Sequence, residues 1–126
     1  MEEQENLETI EIGTIEEQKL EPKKVKIVKT SVESVGDKGA KKVVCETKHP
    51  DKEETIQISA AKIERQKGKL EISGLWFNLD RENKIKKNSA LAVFLKNIGV
   101  RSVKELEGKE IPTLEDENGY LVFKGY

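Results

Sequence analysis

The single tryptophan of this chain, Trp76, stands in the run Leu75-Trp76-Phe77-Asn78-Leu79, where apolar side chains recur at every second position. In a strand, Leu75, Phe77 and Leu79 then face a core, and Trp76 and Asn78 face outward. An outward indole is a flat surface on which a nucleic-acid base can stack, a contact worth about 1–3 kcal/mol per base whatever the sequence. Large aromatics are also commonly covered, so a tryptophan shielded by the helix, the N-terminal segment or a partner subunit is the competing reading. Tyr120 and, after it, Tyr126 share one parity of the last apolar run, opposite Leu121 and Phe123, and are the further candidate stackers.

Basic residues gather where such a platform would need phosphate contacts. Lys23, Lys24 and Lys26 open the first apolar run, Lys41 and Lys42 open the second, and Arg81, Lys84, Lys86 and Lys87 follow the tryptophan run. Arg65, Lys67 and Lys69 surround the turn that precedes it. A groove lined by these side chains would track a phosphate backbone, with binding that falls steeply as salt rises. The interleaved Glu64, Glu71 and Glu82 favour the plainer reading of ordinary solvated faces.

Other chemistry has few residues to use. The one histidine, His49, precedes Pro50 in a turn and reads as a solvated or capping residue; the one cysteine, Cys45, reads as a buried thiol in a strand. Together they could form a nucleophile–base pair, but no oxyanion arrangement accompanies them. One His and one Cys do not make a zinc site. Asp51, Glu53 and Glu54 lack the glycine and spacing of a calcium loop, and no Walker or dinucleotide-type glycine loop is present. The expectation is a non-enzymatic protein with no catalytic residues, no metal and no cofactor.

Charge is divided along the chain. Met1 to Pro22 hold eight glutamates and one lysine, a net −7, and the remainder carries +6. A basic body with an acidic arm suits a protein that meets a polyanion selectively. Residues 1–22 are expected to form a disordered acidic leader, which could compete for the basic groove or hook a protein partner, and residues 23–126 one domain of roughly 100 residues. No apolar run approaches the ~20 residues of a membrane span, and the N-terminus is acidic where a signal peptide would be basic. A cytoplasmic protein without membrane contact is expected, and one cysteine leaves no internal disulfide. Charged residues at 37% of the chain, weighted to Lys and Glu, lean towards a thermophile-like composition.

The elements that must position the candidate site follow from periodicity. Val25, Ile27, Val32 and Val35 predict a long first strand ending at Gly36-Asp37-Lys38-Gly39; Val43 and Cys45 alternate with Val44 and Glu46 in a second; Ile56 and Ile58 begin a third. Leu70 and Ile72 lead into Gly74, after which the inward parity shifts to Leu75, a change that a bulge at the glycine would produce. Leu91, Phe94, Leu95 and Ile98 at i, i+3, i+4 and i+7 predict a one-faced helix with Asn88 or Ser89 as N-cap and Gly99 beyond its end. Ser102 and Glu105 have capping-box spacing for one more helical turn. Phe94 to Leu106 also has the outline of a helix-hairpin-helix, with Asn97 where its first hairpin glycine would stand. Lys109–Leu114 and Tyr120–Lys124, joined through Asn118-Gly119, close the chain as a hairpin.

Strands, one helix, then a hairpin is the element order of a mainly β, five-stranded OB-like barrel whose helix lies between strands three and four; an open α+β sheet gives the same order. The segment Ser89–Tyr126, with SALAVFLKNIG, KELEGKEI and GYLVFKGY, resembles the C-terminal half of OB-fold single-stranded-DNA-binding proteins of phages and mobile elements. That resemblance implies an ssDNA binder with a basic groove and stacking aromatics, and adds Lys109, Tyr120 and Phe123 as family-like positions. The sequence therefore leads to single-stranded DNA or RNA as the expected partner, held by Lys24, Lys26, Lys41, Lys42, Arg65, Lys67, Lys69, Trp76, Arg81, Lys84, Lys86, Lys87, Lys109 and Tyr120. The alternative is a protein-interaction or assembly module that uses its exposed strand edge and aromatics.

Overall fold

Alternating β-branched residues make strand the main element of this chain. A computed structural model describes residues 20–36 and 40–126; the acidic stretch 1–19, where the leader is expected to be disordered, and residues 37–39 of the first turn lie outside the described residues. The elements run β1 (Val25–Val35), β2 (Ala40–Lys48), β3 (Ile56–Ile58), β4 (Ala60–Gln66), β5 (Lys69–Gly74) and β6 (Trp76–Phe77). After these come α1 (Ala90–Ile98), a 3-10 turn (Lys104–Leu106), β7 (Glu110–Ile111), β8 (Thr113–Glu115) and β9 (Leu121–Gly125).

Two sheets share one curled wall. The first has the order β3-β2-β1-β7, with β6 also on β2; the second has the order β5-β4-β9-β8. Ser59 alone separates β3 from β4, and Pro112 alone separates β7 from β8, so the chain passes from one sheet to the other at both places. Proline suits such a corner because it has no N–H to leave unpaired, and the Pro112 carbonyl accepts from the Lys124 N–H at 2.9 Å. β1 bends by a register slip between Ile27 and Lys29: Val25 and Lys26 pair with β7, and the remainder runs along β2 alone. Strands β4 and β9 are parallel, and the other pairings are antiparallel.

The helix is placed by caps and by one glycine. Ser89 accepts from the Ala92 N–H at 3.2 Å, and Gly99, at φ 91°, ends the helix by donating to Leu95 and Lys96 carbonyls. Leu91, Phe94 and Leu95 are buried, with Phe94 stacked on Phe123 at a centroid separation of 5.2 Å. A methyl group at Gly125 would sit 2.9 Å from the Ile63 side chain and 3.1 Å from Phe94. Only the bare backbone of β9 lets α1 settle this closely. The expected extra turn is the 3-10 segment, capped where Glu105 accepts from the Arg101 and Ser102 N–H groups. A single 3-10 turn in place of a second α-helix leaves the helix-hairpin-helix unformed.

Inward parity before the tryptophan departs from the sequence reading. In the β4–β5 register Ile63 lies opposite Glu71 and Lys62 opposite Ile72. Ile63 is buried, so Glu71 and Ser73 share the inward parity with Leu75 and Phe77, and no bulge at Gly74 is needed. Leu70 and Ile72 face outward, 44% and 42% exposed, because β5 is an edge strand whose sequence alternates with its apolar side out. Leu79 is also exposed, in an isolated bridge to Ile85 beyond the sheet, and Val44 is buried although its neighbours Val43 and Cys45 occupy the opposite parity.

Candidate nucleic-acid interface

Trp76 is built into the outer face of the first sheet by its register. Trp76 pairs with Lys42 of β2, and Lys42 pairs in turn with Glu33 of β1, so the three side chains form one cross-strand row. A Cβ at Gly74 would lie 2.6 Å from the indole Nε1 and 3.0 Å from Cδ1, so the five-membered ring rests directly over the Gly74 backbone. The Lys42 ammonium stands 5.2 Å from the ring centroid, within cation–π range. With 37% of its surface exposed, Trp76 is held from one side and open on another. A flat aromatic with a mobile cation beside it can exchange that cation for a base, while the freed ammonium meets a phosphate.

Behind the platform lies a stiff turn. The Lys86 N–H donates to the Asn78 carbonyl, and the Asp80 N–H donates to the Lys84 carbonyl. Asp80 Oδ1 accepts from the N–H groups of Glu82 and Lys84 at 2.8 and 3.0 Å. These bonds, that from Lys84 first, hold the Asp80 carboxyl below the usual carboxylate range. Arg81, Lys84, Lys86 and Lys87 are therefore carried on an ordered segment that leaves β6 immediately after the tryptophan, and all four are exposed. Lys41, also exposed, pairs with Phe77 and so lies on the other side of β2 from Trp76 and Lys42.

The remaining candidates lie elsewhere. Arg65, Lys67 and Lys69 are at the tip of the β4–β5 hairpin in the second sheet, where Arg65 is paired with Glu71 at 2.9 Å. Lys24 and Lys26 are at the start of β1, the end remote in sequence from Lys41 and Lys42, and Lys26 faces Lys48 and Glu110 in register. Lys109 is exposed at the entry to β7, its carbonyl accepting from Ile27. Tyr120 is 70% exposed at the β8–β9 turn, beside a loop whose Asp116 carboxylate accepts from the Asn118 and Tyr120 N–H groups. Tyr126 carries its own cation, Lys124, at 5.2 Å. Phe123 is wholly buried.

Of the two sequence readings of His49, solvated or capping, the first is corrected, since the ring is fully buried, and the second holds, since the ring caps the Asp51 N–H. Its Nε2 hydrogen bonds the Glu21 carbonyl at 2.7 Å and its Nδ1 accepts from the Asp51 N–H at 3.0 Å, an arrangement that requires the proton on Nε2. Beside it, Lys23 pairs with Asp51 at 2.8 Å; that bond holds the Asp51 carboxyl below and the Lys23 ammonium above their ordinary ranges. The Thr113 hydroxyl donates to the Lys23 carbonyl at 2.7 Å. The end of the leader is thus fastened to the body through the Glu21 carbonyl, next to Lys23 at the start of the domain. Burial pushes the Cys45 thiol up to about 12, so Cys45 and His49 do not offer solvent a nucleophile–base pair. Among the described residues, no group of three or more His, Cys, Asp or Glu converges as a metal site, and no helix is long and apolar enough to cross a membrane.

The sequence reading missed Gly74 as the bed of the indole, because a glycine at a strand end signals a turn as readily as a close contact. It also passed over Lys96 and Arg101, which extend the basic surface past α1; a lysine on the polar side of an amphipathic helix carries no signal of its own. Comparison with family models, with curated proteins and with solved structures returned no match.

Proposed function

We propose that residues 23–126 form an OB-type barrel that binds single-stranded nucleic acid across the face of β2, stacking a base on Trp76. The observation that carries this reading is the half-open indole laid on Gly74 with Lys42 beside it. The pairing path supports the fold assignment. With β3 and β4 joined through Ser59 and β7 and β8 through Pro112, five strands form a circuit: the first pairs with the second and fourth, the third with the second, and the fifth with the third and fourth, while β5 on β4 and β6 on β2 stand outside it, between the third strand and the helix. The helix falls between the third and fourth, and OB barrels bind oligonucleotides over strands two and three and the neighbouring loops. The likeness of Ser89–Tyr126 to phage-type ssDNA-binding proteins points the same way.

Lys42, Arg81, Lys86 and Lys87 would hold phosphates around the stacked base. The β8–β9 turn, with Asp116 and Glu117 at its tip, repels phosphate, so the strand's path stays on the β2–β6 side. Titrating a fluorescent oligo-dT with the full chain at two salt concentrations, following anisotropy and Trp76 emission, tests the proposal. Salt-sensitive binding with quenching supports it; no binding at low salt sinks it. The assembly reading keeps one specific observation in its favour, the unpaired edge of β5 with Leu70 and Ile72 exposed, and it forecasts self-association that is indifferent to salt.

A further inference from the structure

A groove of about 680 Å³ lies between α1, the 83–87 turn and the segment that follows the helix. Its floor is apolar: Leu95 and Val100 are buried core residues, and Ile85 and Val103 are partly buried against the same core. Its rim is cationic, formed by Lys84, Lys87, Lys96 and Arg101. Lys84 has Glu82 at 3.9 Å, and the other three make no ion pair among the described residues. An apolar trough with a positive rim fits a segment that alternates apolar and acidic side chains.

The chain contains one such segment. Glu8-Thr9-Ile10-Glu11-Ile12-Gly13-Thr14-Ile15-Glu16-Glu17 sets three isoleucines among four glutamates. It lies within the 19 residues that precede the first described position, Leu20, and the chain there is anchored through the Glu21 carbonyl on His49. Extended chain lets Ile15 reach about 17 Å and Ile10 about 34 Å from Leu20, against a radius of gyration of roughly 13 Å for a domain of this size. We infer that Glu8–Glu17 docks in this groove in cis, with Ile10, Ile12 and Ile15 on the floor and the glutamates against the rim. The inference is independent of nucleic-acid binding. If both hold, the docked leader neutralises Lys84 and Lys87 and a strand must displace it to reach them.

Amide spectra of the full chain without nucleic acid test this. Replacing Ile10, Ile12 and Ile15 together by serine should move resonances of Ile85, Leu95, Val100 and Val103 and their neighbours, and leave those around Trp76 in place. Reversing the rim with Lys87→Glu and Arg101→Glu, both exposed positions, should move the leader's own resonances as the triple variant does. Shifts that are absent from the groove, or that centre on Trp76, would overturn the assignment. Groove shifts that vanish on dilution would overturn docking in cis and place the leader on a second copy.

Discussion

Two basic regions of this protein look alike in sequence and differ in structure. Around Trp76, Lys42 on β2, with Glu33 across from it, and the basic residues of the ordered 81–87 turn accompany a half-exposed aromatic. At the β4–β5 tip, Arg65 is bound to Glu71, and the Glu64 carboxylate accepts from the Gly68 N–H, so the same density of positive charge is matched by fixed carboxylates. Lysine clusters alone do not define a phosphate groove. What separates the two regions is that a neighbouring strand supplies a stacking surface at one and a close ion pair, Arg65 with Glu71, at the other.

The largest expected effect is at the platform. Trp76→Ala should weaken oligo-dT binding roughly 5- to 150-fold by anisotropy, the equivalent of one lost stack at about 1–3 kcal/mol. Trp76→Phe should recover part of that loss, because a smaller ring still stacks. Lys42→Ala with Lys86→Ala should come next, weakening binding across all sequences and lowering the magnitude of the salt slope by about 1.4 for two lost phosphate contacts. Gly74→Ala should give a smaller loss, since its new methyl forces the indole off its bed; the direct readout is a red shift of Trp76 emission without nucleic acid. At the other region, Lys67→Ala with Lys69→Ala should change affinity by less than about twofold, as expected where charges are not aligned with a stack. A loss equal to that of the Lys42 and Lys86 pair would erase the distinction between the regions.

A pH series sharpens the same comparison. The Asp80 carboxyl that stiffens the turn behind Trp76 is held low, as are Asp51, by its bond to Lys23, Glu105, by the Arg101 N–H, and Glu107, by Lys104 and the Thr30 N–H. In each case the unfolded chain takes up its proton at a higher pH than the folded one. Stability is therefore complete above the ordinary carboxylate range near pH 4 and is lost as pH falls through the folded values. Thermal melts from pH 7 to pH 3 should show this decline, and Asp80→Asn should make it shallower.

The helix was the most legible element. Its apolar spacing, Ser89 cap and Gly99 stop act within a few residues of one another, so local sequence carries them whole. Trp76 facing outward was legible too, from the parity of Leu75 and Phe77. The β5 parity was not: Leu70 and Ile72 look like core residues until the register with β4 sets Glu71 beside Ile63. Apolar periodicity tells which residues share a face, and it does not tell which face is covered. His49 escaped for a related reason, since both groups that satisfy its ring are backbone atoms, one of them on Glu21, far away in sequence.

By itself, the sequence determined a mainly β body, one amphipathic helix and an acidic segment ahead of a basic domain, because these rest on composition and on spacing within single elements. Tertiary structure alone decided that Lys42 and Trp76 meet over Gly74, that Arg65 is neutralised, and that α1 and the 83–87 turn enclose a groove. Each of these depends on strand register or on backbone approach, which periodicity does not carry: the sequence offers Glu71 as one of several interleaved carboxylates, and only the folded hairpin sets it on Arg65.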